Sequence, residues 1–388
     1  MKRIWLTRNL ILLTLVSLAQ DAASELLYPL LPYIITAGVI GAAPLALGLI
    51  EGCAEAAAGF TKLWAGNKSD TAGRKPFVIA GYSLAAVGKA LVIFATAWGA
   101  VFAGRVTDRI GKGLRSTPRD ALISDSVEKR HLGKAFGFHR TGDNIGAVIG
   151  PLIALGGLAL LNDDVRAVAK WALIPAILSG LLTLFVKETI TQKKKVHEVL
   201  PRVKLPPELK KPIAILVLIQ LTNIPDALLL LRLYDVGFSV QAVVLSYALY
   251  SLVTVLFAYP AGALADKFSP QSVYAVGLVA FAIAYATLGL TTNKALAISA
   301  LIIYGIFPAL TDGVGKAWIA KLSDEHHRGR AQGVYQASMN FAVLGAGIWG
   351  GAFWVGGQNE IVLVVAAVGA LAGAIYFGLR IALQRFSH

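Results

Sequence analysis

Four groups of residues in this chain have types and spacings suited to chemistry. Asp21 and Glu25 stand four residues apart, as do Glu51 and Glu55, so each pair shares one face of a helix. Each pair also lies within a long apolar run, where a carboxylate can hold and release a proton or bind a cation. The second group runs along Arg105, Asp108, Arg109, Lys112, Arg115, Ser116, Arg119 and Asp120. At 100° per residue these fall within about 140° of one helix face. Charge is expensive in hydrocarbon, so such a stripe must face a watery cavity or oppositely charged helices. The four carboxylates can therefore also serve as its counter-ions, and the two roles are compatible. From Arg115 onward the charges also read as a boundary at the end of a span, with Pro118 ending the helix. The third group is His139, Arg140 and Asp143, followed by Gly146, Gly150 and Pro151. The fourth is Asn223, Asp226 and Arg232.

The elements that position these groups must be membrane helices. The chain has 388 residues, of which 56% are hydrophobic, and a mean hydropathy of +0.66. A span takes about 20 apolar residues, so this length allows about twelve spans and leaves little for a soluble domain. The apolar runs are too long and too continuous for barrel strands. The net charge of +14 does not indicate a nucleic-acid partner, because the surplus lysines and arginines sit in short loops, as cytoplasmic loops do. Lys2, Arg3 and Arg8 before the first span place the N-terminus inside, and an even number of spans returns the C-terminus to the same side. The single cysteine, Cys53, allows no internal disulfide. No P-loop and no HExxH sequence is present, so no enzymatic activity and no cofactor are expected.

The chain divides near its middle at a basic polar stretch. The expectation is an all-α protein of two six-helix bundles, residues 1–190 and 212–388, joined by a cytoplasmic linker at 191–211. The halves repeat. Gly66, Ser69 and Asp70 recur as Gly262, Ala265 and Asp266, an offset of 196. Gly133, Ala135 and Gly137 recur as Gly329, Ala331 and Gly333 at that same offset. Parallel repeats of this size are one architecture of carriers that alternate access around a midplane site.

Gly66, Ser69, Asp70, Gly73, Arg74 and Lys75 together resemble the loop 2–3 signature of the major facilitator superfamily, with departures at Lys68 and Thr71. Gly137, Gly146, Gly150 and Pro151 resemble the span 5 signature of its antiporters, although Ala154 and Leu155 replace the closing glycines. Arg105 occupies the place of the superfamily's span 4 arginine, and Asp125 that of the carboxylate that pairs with Arg74. The resemblance implies a twelve-helix secondary transporter of the cytoplasmic (inner) membrane, a monomer that exports a small polar or charged solute in exchange for protons. It implies a conformational latch at Gly66, Asp70, Gly73, Arg74 and Asp125, with Gly146, Gly150 and Pro151 coupling helix packing to it. The substrate and proton-coupling residues would be Asp21, Glu25, Glu51, Glu55, Arg105, Asp108, Arg109, His139, Arg140, Asp143, Asn223 and Asp226. The acidic pairs also suit a divalent metal, and the basic stripe a metal chelate or other anion. A non-transporting membrane sensor is the reading from another class, and no effector domain accompanies it.

Overall fold

A computed structural model of the chain describes residues 5–188, 206–323, 328–354 and 359–386. Most of the expected linker and the basic residues Lys2 and Arg3 lie outside the described residues. Every described element is helical: this is an all-α membrane protein whose described residues form twelve helical rods. In the first half these are α1 (Arg8–Leu27), α2 (Pro44–Ala72), α3 (Lys75–Ile93), α4 (Trp98–Ser126), α5 (Leu132–Leu160), and one rod broken at Ala172 into α6 (Val165–Trp171) and α7 (Leu173–Thr183). The second half holds a broken rod of α8 (Pro207–Gln220) and α9 (Asp226–Asp235), then α10 (Val240–Lys267) and α11 (Pro270–Leu290). A rod broken at Gly305 into α12 (Lys294–Tyr304) and α13 (Ile306–Leu322) follows, then α14 (Arg328–Phe353) and α15 (Asn359–Phe386). The helix starts keep the sequence offset: Pro44 and Val240, Trp98 and Lys294, and Leu132 and Arg328 each stand 196 residues apart.

Among the described residues, eight rods are long and apolar enough to cross a membrane by length and composition. The rod α4 is not among them because it carries the charged stripe. Pro118 does not end it, and the helix continues to Ser126. The broken rod α8–α9 is also not among them, since residues 221–225 interrupt it between pieces of 14 and 10 residues.

Two compact units emerge. Among the described residues, one draws on 1–35 and 53–204, and the other on 36–52 and 205–388. The opening turns of α2 therefore pack with the second unit, where the backbones of Gly48 and Gly347 touch. In the first unit, glycines let helices pack backbone against backbone. On α3 and α4, Gly88 faces Gly104 and Gly81 faces Gly111: a Cβ on Gly104 would stand 2.7 Å from the Gly88 carbonyl oxygen, and one on Gly111 2.5 Å from that of Gly81. On α5, Gly142, Gly146 and Gly150 form a ridge against α1, where a Cβ on Gly146 would lie 2.5 Å from the Leu18 oxygen. The apolar core of the unit gathers Leu10, Leu13, Val16, Val78, Tyr82, Leu122 and Ile123. Asn9 pins the end of the last rod by pairing both ways with the Lys187 backbone, at 2.8 and 3.0 Å.

This packing yields a stability test. Gly104→Ala sets a methyl against the backbone of α3 and is expected to cost about 1–3 kcal/mol. Gly156→Ala meets nothing within 4 Å and is expected to stabilise by about 0.5–1 kcal/mol through higher helix propensity. Thermal unfolding of the purified protein in detergent checks both signs; equal midpoints for the two variants would refute the close packing.

Candidate functional site

The close approach of α3 and α4 brings an ion pair into the interior. Lys89 Nζ lies 2.7 Å from Asp108 Oδ1, with both side chains at least 95% buried. The second oxygen of Asp108 faces an Arg105 guanidinium nitrogen at 3.7 Å, and Arg105 also lies over the Tyr28 ring at 5.6 Å. One turn on, Arg109 Nε meets Glu55 Oε1 of α2 at 3.1 Å. The α2–α4 contact is close because a Cβ on Gly113 would stand 2.7 Å from the Ala58 carbonyl oxygen. The stripe thus points into the first unit, where acidic groups on α2 and on α4 itself meet its upper half.

Ser17 of α1 is the hub of the lower half. Its Oγ accepts from an Arg119 guanidinium nitrogen at 2.9 Å, shares a hydrogen bond with the Tyr82 hydroxyl at 2.9 Å, and lies 3.5 Å from His139 Nε2. Arg119 also donates from Nε and Nη2 to Asp120 Oδ1, at 3.0 and 2.9 Å. Arg115 stacks on Tyr82, its guanidinium carbon 4.6 Å from the ring centre. Asp143 sits 3.7 Å from His139 Nε2 and 3.9 Å from the exposed Arg140. Among the described residues, no hydrogen-bond partner meets the buried atoms Arg115 Nη1, His139 Nδ1 and Asp143 Oδ1. Asp21 and Glu25 lie half-buried one turn apart on α1.

The α2–α3 turn is built on Gly73, whose φ of +90° favours glycine. Beyond it Arg74 forms an ion pair with Asp125 at the end of α4. The Glu188 carboxylate accepts from the backbone N–H of Arg74 at 3.3 Å and of Lys75 at 2.8 Å, filling orphan donors where α3 begins. Gly66 packs against Thr117. The side chain of Asp70 lies outside the described residues. Pro151 follows the glycine ridge without ending α5.

In the second unit, Asn223 occupies the break between α8 and α9, and Asp226 opens α9. Asp226 accepts from the hydroxyls of Tyr250 and Tyr304, at 2.8 and 2.9 Å. Asn223 Oδ1 lies within hydrogen-bonding reach of the Tyr304 and Tyr285 hydroxyls, at 2.9 and 3.1 Å. The three rings join Phe281 and Phe307 in one aromatic cluster, with Tyr250 and Tyr304 stacked at 5.6 Å. Arg232 plays a different part. Its guanidinium donates to the carbonyls of Leu288, Gly289 and Thr291 and to Asn359, capping the end of α11. Glu51 is 3% exposed and falls in the segment that packs with this unit.

Sequence reasoning placed Lys89 inside the third span without assigning it a role, and passed over Ser17 and the tyrosines. A lone lysine in an apolar span demands a partner, so Lys89 carried a signal. A serine or tyrosine among apolar residues carries none. Among the described residues no three His, Cys, Asp or Glu side chains gather as a metal site.

The family model described as Major Facilitator Superfamily matches residues 13–232 and 213–384. An uncharacterized MFS-type transporter of Methanocaldococcus jannaschii is 31% identical over 358 residues, covering 90% of this chain and 89% of that one. The multidrug resistance protein MdtH of Salmonella paratyphi B is 24% identical over 300 residues, covering 76% and 72%. Among solved structures, a peptide transporter POT superposes with a TM-score of 0.79 at 14% identity, over 97% of this chain and 94% of that one.

Removing Lys89 tests the interior pair. Lys89→Met leaves Asp108 facing Arg105 alone and is expected to cost about 3–5 kcal/mol. Lys89→Met combined with Asp108→Asn is expected to recover part of that loss. A double-mutant cycle on detergent-solubilised protein reads the coupling, and strictly additive effects would argue against it.

Proposed function

The chain belongs to the major facilitator superfamily and is a transporter, and from that premise we propose that it exports a small charged solute in exchange for protons by alternating access. The observation that carries this reading is the setting of Asp143. It lies on α5 with an oxygen that has no hydrogen-bond partner, beside a histidine tied through Ser17 to Arg119. A carboxylate so placed, within a membrane-spanning helix, suits a group that takes up and gives back a proton. The ridge of Gly142, Gly146 and Gly150 holds Asp143 close to α1, so Asp21 and Glu25 belong to the same proposed coupling group. Arg105, Asp108, Arg109 and Glu55 would then hold the charge balance while that group titrates, with Arg140 at its edge.

Export is the favoured direction because the chain is similar to a multidrug resistance protein and its span 5 glycines resemble those of antiporters. We assign the transporter to the cytoplasmic (inner) membrane, with both termini in the cytoplasm, acting as a monomer. The Arg74–Asp125 pair is then a latch on the cytoplasmic face, with Glu188 fixing the turn that carries Arg74.

The reading is tested in proteoliposomes enclosing a pH dye, under an imposed pH gradient. The solutes offered are tetraphenylphosphonium, manganese, citrate and γ-aminobutyrate. The transported solute is expected to leave as protons enter, and Asp143→Asn is expected to abolish gradient-driven flux while solute-for-solute exchange persists. Solute movement with no accompanying proton flux, or a wild-type response from Asp143→Asn, would overturn it. For the latch, Arg74→Ala is expected to change cysteine accessibility along α4 more than it changes solute affinity; unchanged labelling would remove that role.

A further inference from the structure

Two opposite charges in the first unit are buried with an open hydrogen-bonding position each. Arg115 is 6% exposed and Asp143 is 8% exposed. Arg115 Nη1 and Asp143 Oδ1 have no hydrogen-bond partner. Ion pairs join Lys89 and Arg105 to Asp108, Arg109 to Glu55, and Arg119 to Asp120. Arg115 has the Tyr82 ring instead, and a cation–π contact offsets only part of the loss of water.

The two open positions flank one hydrogen-bonded relay. Tyr82, beneath Arg115, shares its hydroxyl with Ser17 at 2.9 Å. Ser17 lies 3.5 Å from His139 Nε2, which lies 3.7 Å from Asp143 Oδ1. The relay rests on α1, α3, α4 and α5, so the donor and the acceptor are held by four packed helices. Arg115 and Asp143 form no ion pair with each other among the described residues.

We propose that Arg115 and Asp143 bind the two ends of a small dipolar solute, an anionic oxygen on Arg115 Nη1 and an ammonium group on Asp143 Oδ1. A simple anion would leave Asp143 unserved, and a simple cation would be opposed by Arg115 and Arg119. The proposal rests on the reading of the chain as a proton-coupled exporter and names its class of solute. Ammonium and proton use the same carboxylate oxygen, so one displaces the other, which is the competition that exchange requires. The anionic oxygen can belong to a carboxylate or to a phosphate.

Calorimetry on the purified full chain tests this. Glycine, β-alanine and γ-aminobutyrate are compared with acetate, propionate and butyrate, and with methylamine, ethylamine and propylamine. Phosphoethanolamine against β-alanine distinguishes phosphate from carboxylate. At least one zwitterion is expected to bind about tenfold or more tighter than the acid and the amine of matching length, as charge-assisted hydrogen bonds do. Arg115→Gln is expected to erase the preference over the amine, and Asp143→Asn the preference over the acid. The wild-type comparison stands even if a variant fails to fold. Acids or amines binding as tightly as zwitterions, no binding by any compound, or unchanged preferences in both folded variants would overturn the site. Zwitterion transport without proton movement would instead overturn the exchange reading and leave the site standing. Proton-coupled flux of another solute with no zwitterion binding would do the reverse.

Discussion

Charge taken out of water must be answered by charge or by hydrogen bonds nearby, and the first unit is arranged around that demand. The stripe on α4 could not lie against lipid, and its upper members are met by groups on α2, α3 and α4 itself. Those meetings depend on how closely the helix axes approach. The glycine pairs of α3 and α4 and the glycine ridge of α5 remove the side chains that would hold the backbones apart. Lys89 can then reach Asp108 at 2.7 Å. Glycine packing and charge compensation are two aspects of one arrangement.

The second unit repeats the helix order but meets much of its polar demand with neutral groups, beside a carboxylate, Glu360, 3.4 Å from Arg232. Tyrosine hydroxyls serve Asp226 and Asn223, and carbonyl oxygens at the end of α11 take up most of the Arg232 donors. The break between α8 and α9 frees backbone groups, and one of them, the Ile224 carbonyl, is satisfied by Tyr285 at 3.3 Å. Titratable side chains are concentrated in the half that carries the stripe, whereas hydroxyl and amide groups dominate around the break in the other.

Much of this was legible beforehand because membrane helices leave long signals. Apolar runs marked the spans, the offset of 196 marked the repeat, and the loop glycines with Asp70 and Arg74 marked the family. A helical wheel sufficed to gather Arg105, Asp108 and Arg109 on one face. What the sequence could not reveal were partners on different helices. Lys89 and Asp108 are 19 residues apart across a turn, and only the register set by Gly88 and Gly104 brings them together. The tyrosine cluster draws on positions 250, 285 and 304, which share no period. Pro118 misled in the other direction, since a proline with well-packed neighbours can remain inside a helix.

The charge pairs also bear on how the chain is made. A segment like α4, emerging alone into a bilayer, would meet a penalty of about 2.5–3.5 kcal/mol for each aspartate, lysine or arginine near its centre. Glu55 and Lys89 are synthesised before Arg109 and Asp108, so their partners already lie in the two helices ahead of α4 when it is translated. The order of the chain lets α4 enter against a waiting α2–α3 hairpin, while His139 and Asp143 arrive afterwards. Insertion of this helix is therefore an act of assembly between neighbouring segments.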